Sequence, residues 1–198
     1  MNVRAPPKLN IGSGKDFRND CVNLDYSDYW KADIIADLSD GKLIGSVHST
    51  DRFGSLELEP DMFDEIIGND VIEHIPDLVS AMTNCLNLLR EHGRLNISVP
   101  YDLSYGAWQD PTHVRGFNER SWLYYTEWHW YLGWTKAHFE LKKLSYFYST
   151  VGAELLDEGI DEKVVRRTPR AVDSMSVILE KRLLSETEEL AAEKWTHR

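Results

Sequence analysis

Residues 9–25 read LNIGSGKDFRNDCVNLD: a short apolar run, a Gly-Ser-Gly turn, a polar stretch, and a second short run ending in Asp25. Strand, glycine turn, strand and acid are shared by three kinds of nucleotide site, and spacing separates them. The phosphate-binding loop GxxxxGK[ST] needs Gly at position 9 and Ser or Thr at position 16. The chain has Leu9 and Asp16 there, and an acid would face a triphosphate without replacing the hydroxyl on magnesium. The dinucleotide fingerprint GxGxxG keeps Gly12 and Gly14, but Phe17 stands where a third glycine lets a helix pack on the sheet. Asp25 follows Gly12 by 13 positions, against about 20 in that fingerprint. The polar stretch around Cys21 is too short for a long helix.

What remains is a loop that lets backbone approach a ligand, with a carboxylate able to accept two ribose hydroxyl bonds. S-adenosylmethionine fits such a site, being an adenosine that carries a sulfonium and an amino-acid tail. Gly12 and Gly14 as an ordinary turn are the competing reading, and the loop alone does not separate the two.

A chain of 198 residues is about one domain and buries roughly 70% of its unfolded surface. Hydrophobic content of 42% and charged content of 28% describe a globular protein. No uninterrupted apolar run reaches the roughly 18 residues of a membrane span, and MNVRAPPKLN lacks an apolar signal core. Two cysteines, Cys21 and Cys85, lie far apart with no CxxC, so a reduced, cytoplasmic protein is expected. A net charge of −11 weighs against a nucleic-acid surface. The basic stretch KVVRRTPR at 163–170 is read as solvated charge.

Strand-like runs fall at 8–11, 22–25, 33–36, 63–69, 94–99, 139–148 and 174–181. A helix follows Pro76, with Leu78, Val79, Met82, Leu86 and Leu89 on one apolar face. Asp77 suits its first turn, Arg90 its last, and Gly93 the left-handed position that closes it. The pattern predicts an α/β fold: a mostly parallel, Rossmann-like sheet with an antiparallel edge strand and helices on both faces. Residues 12–21 are too few for a regular crossover helix, so a turn or a stub of helix is expected there. No clear helix is expected between the last two strands. Residues 1–182 read as one domain with an aromatic insertion at 101–138, which holds five of the seven tryptophans. Residues 183–198 read as a polar helical tail.

Three further stretches align with the opening loop. ADIIADLSD ends a strand at Asp37, FDEIIGNDVIEHIPD runs a strand into Asn69 and on to Glu73-His74-Ile75-Pro76, and LLREHGRLNISVPYD is helix, glycine and strand. Together with the DPTH at 110–113, this order resembles the class I S-adenosylmethionine-dependent methyltransferases over about residues 8–125. The resemblance implies that Gly12, Ser13 and Gly14 form the loop under the methionine part, with Lys15 near its carboxylate. It implies Asp25 on the ribose hydroxyls, Tyr26 flanking the adenosine, Asp37 and the Leu38 backbone on the adenine edge, and Asn69 near the methyl group. S-adenosyl-L-homocysteine would be the product. The chain departs from many relatives in lacking a helix before the first strand, so either the 101–138 segment covers the cofactor or the site is open.

Methyl transfer is an in-line displacement that the protein accelerates mainly by alignment, with a base needed for a hydroxyl acceptor. His113 as base, oriented by Asp110, is the catalytic expectation; Asp110 capping its turn while His113 bonds backbone is the competing one. Some relatives hold a divalent metal near residues such as Glu73-His74, and Glu73, Asp110 and His113 are mixed ligands by type. The reading preferred here is structural, with His74 packed under the strand on a carbonyl and no metal. The aromatics of 101–138, with Asn118, Glu119 and Arg120, suit core or lid packing first. A platform for a sugar or planar acceptor and a homodimer interface are their other uses.

These features predict a methyltransferase acting on a small-molecule or saccharide hydroxyl, with no nucleic-acid or membrane partner. An aminopropyltransferase of the same fold, gripping a polyamine through Asp70, Glu73, Asp102 and Asp110, is the enzymatic alternative. A non-catalytic relative that binds the cofactor and acts through a partner is the other.

Overall fold

The apolar runs beside the glycine loop become the centre of a sheet. In the computed structural model, which describes residues 5–196, β1 (Lys8–Ile11) pairs in parallel with β2 (Val22–Asp25) on one side and with β6 (Phe63–Asn69) on the other. Leu9, Ile11, Val22, Leu24 and Ile66 are all buried, as expected of strands with a neighbour on each flank and a layer over each face. β3 (Ile34–Ile35), β7 (Leu89–Pro100), β8 (Ala137–Tyr148) and β9 (Val172–Leu183) complete a seven-stranded sheet of order β3-β2-β1-β6-β7-β9-β8. β9 runs antiparallel to both of its neighbours at that edge; the other paired strands run parallel. The expected mostly parallel sheet with antiparallel pairing at one edge is therefore present. A separate hairpin, β4 (Val47–Thr50) with β5 (Gly54–Glu57), was not anticipated because its strands are short and largely exposed.

The first crossover carries no helix. Polar residues on the two strands hold a loop where a helix would lie. Asn10 Nδ2 donates to Asn23 Oδ1 (3.1 Å) and to Asp16 O (2.7 Å), and Asn23 exchanges bonds with the Arg18 backbone in both directions, each at 2.9 Å. Asp33 Oδ2 accepts from the Asn23 backbone at 2.8 Å, which draws Asp33 out of the expected third strand. Buried asparagines are tolerated because these bonds satisfy them.

α1 (Leu78–Leu88) starts as its sequence suggests: the Asp77 side chain accepts from Ser80 N and caps the first turn. Its buried face is Leu78, Ala81, Met82, Cys85, Leu86 and Leu88, whereas Val79 is exposed. The end of the helix differs from expectation. The chain turns extended at Leu89 and enters β7 at once, and His92 rather than Gly93 takes the left-handed conformation (φ 63°). Gly93 is needed for room: a Cβ there would lie 2.8 Å from Arg90 O and 3.1 Å from Phe63 O.

Two helices, α3 (Thr150–Asp157) and α4 (Glu162–Arg167), fill the connection between β8 and β9, contrary to the expected helix-free link. Their short length hid them. The basic stretch falls on α4 and the turn after it, where Arg166 lies over the Tyr146 ring at 4.7 Å and Arg170 over Tyr105 at 4.2 Å. The tail is helix α5 (Glu186–Thr196), tied back by Arg182–Glu188 (2.7 Å) and Lys136–Glu189 (2.6 Å) ion pairs and by Trp130 against Trp195. Residues 197 and 198 of the expected tail lie outside the described residues.

The insertion at 101–138 divides by burial. Tyr101, Phe117, Trp122, Tyr125 and Trp134 are buried and join the main core, while Trp108, Tyr124, Trp128 and Tyr131 face outward. It contains α2 (Gly106–Gln109) and a single 3-10 turn at His129–Leu132.

Candidate active site

After β3 the chain returns to the other side of β1 to form β6, so the direction of travel across the sheet reverses beside β1. Open α/β sheets bind ligands at such a point, outside the carboxyl ends of the strands. A cavity of about 450 Å³ lies there, lined by Gly12 after β1, Asp25 and Tyr26 at the end of β2, Ala36, Asp37 and Leu38 after β3, and Asp70, Val71, His74, Ile75 and Pro76 after β6. Cofactor-sized pockets span about 300–1,000 Å³.

Each wall has a local cause. Gly12 (φ 55°) and Gly14 (φ 40°) both take the left-handed conformation that costs other residues about 1–2 kcal/mol. Gly12 has a second reason: a Cβ on it would overlap the Val71 side chain. Asp25 holds the loop. Its Oδ2 accepts from Gly14 N and its Oδ1 from Ser27 N, both at 2.8 Å. A carboxylate has about four lone-pair sites, so acceptor capacity for two ribose hydroxyls remains after those two bonds. Asp37 Oδ1 accepts from Ser39 N (2.8 Å) and Ser39 Oγ (2.7 Å), and Oδ2 is its open acceptor among the described residues. Leu38 O accepts from Asn84 Nδ2 at 2.8 Å, which fixes the backbone of this wall.

Of the cofactor residues expected from sequence, Gly12, Asp25, Tyr26, Asp37 and Leu38 meet at this cavity. Ser13, Gly14, Lys15 and Asn69 are not in its wall. Ser13 is buried with its backbone N–H on Leu24 O, Lys15 lies over the Trp30 ring at 5.4 Å, and Asn69 Nδ2 reaches Asp16 Oδ2 at 3.5 Å. Asp70 and Val71 occupy the wall beyond Asn69; Asp70 is itself left-handed (φ 52°). Sequence reading passed over Val71 because one apolar residue after a strand carries no chemical signal. No residue of 101–138 lines the cavity.

Gly12→Ala should abolish measurable S-adenosylhomocysteine binding in a calorimetric titration while leaving far-UV circular dichroism unchanged. Both the backbone penalty and the Val71 overlap act on the loop itself, so retained binding would remove the loop from the site.

Beside the cavity, the turn after β6 meets the DPTH stretch. Arg115 Nη2 clamps the turn by donating to Ile75 O and Pro76 O, both at 2.7 Å, and Val114 N donates to Glu73 O at 2.9 Å. The His74 and His113 rings pack edge to face with centroids 4.5 Å apart. The expected His113–Asp110 pair does not form. His113 Nδ1 lies 3.0 Å from Ala107 O, and Asp110 Oδ1 is taken by Thr112 N (2.8 Å) and Thr112 Oγ1 (2.7 Å). Asp-Pro closes its own turn before the carboxylate can reach the imidazole, so the competing expectation holds. These Thr112 bonds hold the Asp110 carboxyl below its ordinary range. His74 also departs from expectation, placing Nδ1 on Thr112 Oγ1 at 2.9 Å rather than on a carbonyl.

The partners define both tautomers. A carbonyl only accepts, so His113 carries its proton on Nδ1. Thr112 spends its hydroxyl proton on Asp110, so it accepts from His74 Nδ1. The nitrogen left without a hydrogen-bond partner in each ring is therefore Nε2. Beside them Glu73 is 1% exposed, and neither carboxylate oxygen has a hydrogen-bond partner among the described residues. Burial, aided by Asp70 and Asp110, pushes its pKa up to about 7. Cys21 and Cys85 are buried free thiols, pushed by burial to about 11 and about 12, and take no part.

No protein-family model matches the chain, and no curated protein matches it in sequence. Solved structures do match. A SAM-dependent methyltransferase from Archaeoglobus fulgidus aligns with a TM-score of 0.60 at 16% identity, covering 89% of this chain and 86% of that one. YcgJ from Bacillus subtilis aligns with a TM-score of 0.52 at 13% identity, over 92% and 94%. The [4+2]-cyclase SpnF aligns with a TM-score of 0.52 at 13% identity, over 89% and 74%. The chain has the class I S-adenosylmethionine-dependent methyltransferase fold. Because a cyclase shares it, the fold alone does not name the reaction.

Proposed function

We propose that this chain is an S-adenosylmethionine-dependent methyltransferase acting on a hydroxyl of a small molecule or saccharide. The observation that carries the reading is the meeting of the Gly12 loop, Asp25 and Asp37 around one cavity at the sheet's switch point. Gly12 admits the ligand's arm, Asp25 accepts from the ribose hydroxyls, and Asp37 with the Leu38 N–H addresses the adenine edge. When bound, the cofactor supplies a methyl group on a sulfonium leaving group. The chain contributes alignment, worth roughly 7–11 kcal/mol in well-oriented systems, and an acceptor side built around His113. A free imidazole Nε2 suits activation of a hydroxyl, and acid-base assistance contributes typically about 10²–10⁴-fold.

The carboxylates required by an aminopropyltransferase do not gather. Asp70 lines the cavity and Glu73 is buried beside it, but Asp102 is bonded to Asn118 and lines a separate hollow with Arg120 and Arg166. Transfer of labelled methyl from S-adenosylmethionine across a panel of hydroxylated acceptors and saccharides tests the activity. A parallel assay with decarboxylated cofactor and polyamines should show no turnover. For an active acceptor, His113→Gln should cut kcat by about 10²-fold or more and leave S-adenosylhomocysteine affinity within twofold. An unchanged kcat would free His113 from the reaction.

A further inference from the structure

The group least explained by nucleoside binding is Glu73. A carboxylate removed from water with both oxygens unpaired is costly, and proteins normally meet that cost with a cation or with hydrogen bonds. The two imidazoles beside it each offer a lone pair. One ligating atom from each of Glu73, His74 and His113 lies within 4.8 Å of the others. Donor atoms bound to one tetrahedral zinc at about 2.1 Å stand about 3.4 Å apart, so the three side chains would draw together by about 1 Å to close on an ion.

The surroundings support the same assignment. Metal-binding histidines characteristically donate their second ring N–H to a carbonyl or, through a polar group, to a carboxylate, which fixes the ring and raises its basicity. His113 donates to Ala107 O, and His74 donates to Thr112, which donates to Asp110. Both rings are thus oriented through Nδ1, with Nε2 left free. A purely structural histidine pair has no need of an unpaired buried carboxylate beside its rings.

We propose that Glu73, His74 and His113 form a binding site for one divalent first-row transition cation, of the zinc or cobalt kind. Two imidazoles and a carboxylate favour such ions over magnesium or calcium, which take oxygen-rich sets. Three protein ligands leave at least one coordination position open, as in catalytic rather than structural sites. His74 also lines the nucleoside cavity. On the methyltransferase reading of the preceding subsection, the open position therefore receives the acceptor oxygen, and a metal-bound hydroxyl is more acidic than a free one. With the ion on its Nε2, His113 acts on the acceptor only through that ion. The bound hydroxyl gives its proton to water, and its oxygen takes the methyl as the methyl–sulfur bond breaks and the thioether leaves. Asp110 and Thr112 are positioning residues for His74.

The test uses the full chain, stripped with a chelator and titrated with Co²⁺ by absorbance and with Zn²⁺ by calorimetry. S-adenosylhomocysteine binding is measured on the same samples. Wild type should take up one equivalent of Co²⁺ with visible d–d bands. Glu73→Gln and His113→Ala should each weaken metal binding by at least about 100-fold, and Thr112→Val by about 10-fold, as loss of outer-shell support does. His48→Gln, on the β4–β5 hairpin, should change nothing. Nucleoside affinity should stay within twofold throughout, which shows that each variant folds and separates this proposal from the cofactor reading. No stoichiometric uptake by wild type would overturn the site. So would uptake that survives both Glu73→Gln and His113→Ala, or that is lost instead in His129→Gln, since His129 and His138 form the other close histidine pair at 4.7 Å.

Discussion

Asp25→Ala should weaken S-adenosylhomocysteine binding well over tenfold, with little loss of global stability. Hydrogen bonds to a charged carboxylate are worth about 1.5–3 kcal/mol each, and two ribose hydroxyls would make two of them. The structure adds a second contribution that the sequence did not carry. Asp25 also accepts from Gly14 N and Ser27 N, so alanine frees the glycine loop and the turn after β2 together. Asp25→Asn separates the two roles. An amide keeps one oxygen for one of these backbone donors, so the asparagine variant should bind better than the alanine variant and worse than wild type. Calorimetry on the three proteins gives the order. Equal affinity for wild type and Asp25→Ala would remove the nucleoside from this cavity.

The second large effect is on stability. Trp122→Ala should cost about 3–5 kcal/mol, the usual loss for deleting a buried aromatic. That is a large part of the roughly 5–15 kcal/mol that holds a domain folded. Trp122 is 1% exposed and stacks on Phe117 at 5.7 Å with 15° between the rings. Its Nε1 has no partner among the described residues, so the loss is packing and Trp122→Phe should recover much of it. Urea unfolding measures both. Trp128→Ala, at a residue 37% exposed, should cost far less. The contrast decides what the aromatic segment is for. A near-neutral Trp122→Ala would return that residue to the role of acceptor platform.

Much of the cavity wall was legible in the chain because it depends on local chemistry. Glycine at a left-handed turn and an acid at a strand's lip need only their own neighbours to be recognised, and Gly12, Asp25, Asp37 and the end of β6 fell where spacing put them. The capping Asp77 of α1 was equally local. The helix's far end was not. Gly93 looked like a cap because glycine usually marks one, but contact with Phe63 O and Arg90 O on the folded sheet decides its use. Short helices such as α4 offer too few turns for a period to show.

The reading of the DPTH stretch failed for a different reason. Asp110 and His113 are three apart, and proximity along the chain suggested a pair. The turn instead sends Asp110 to Thr112 and His113 to Ala107. The partners that matter, Glu73 and His74, lie some forty residues earlier, brought in by β6 and held by Arg115. Strand positions, the glycine loop and the acids at the strand ends follow from short-range rules of backbone conformation and hydrophobic alternation, and the amino-acid sequence determined them by itself. Only the tertiary structure decided that Glu73 is buried beside two imidazoles with no hydrogen-bond partner among the described residues. Burial and hydrogen-bond satisfaction depend on what distant segments bring to the same place.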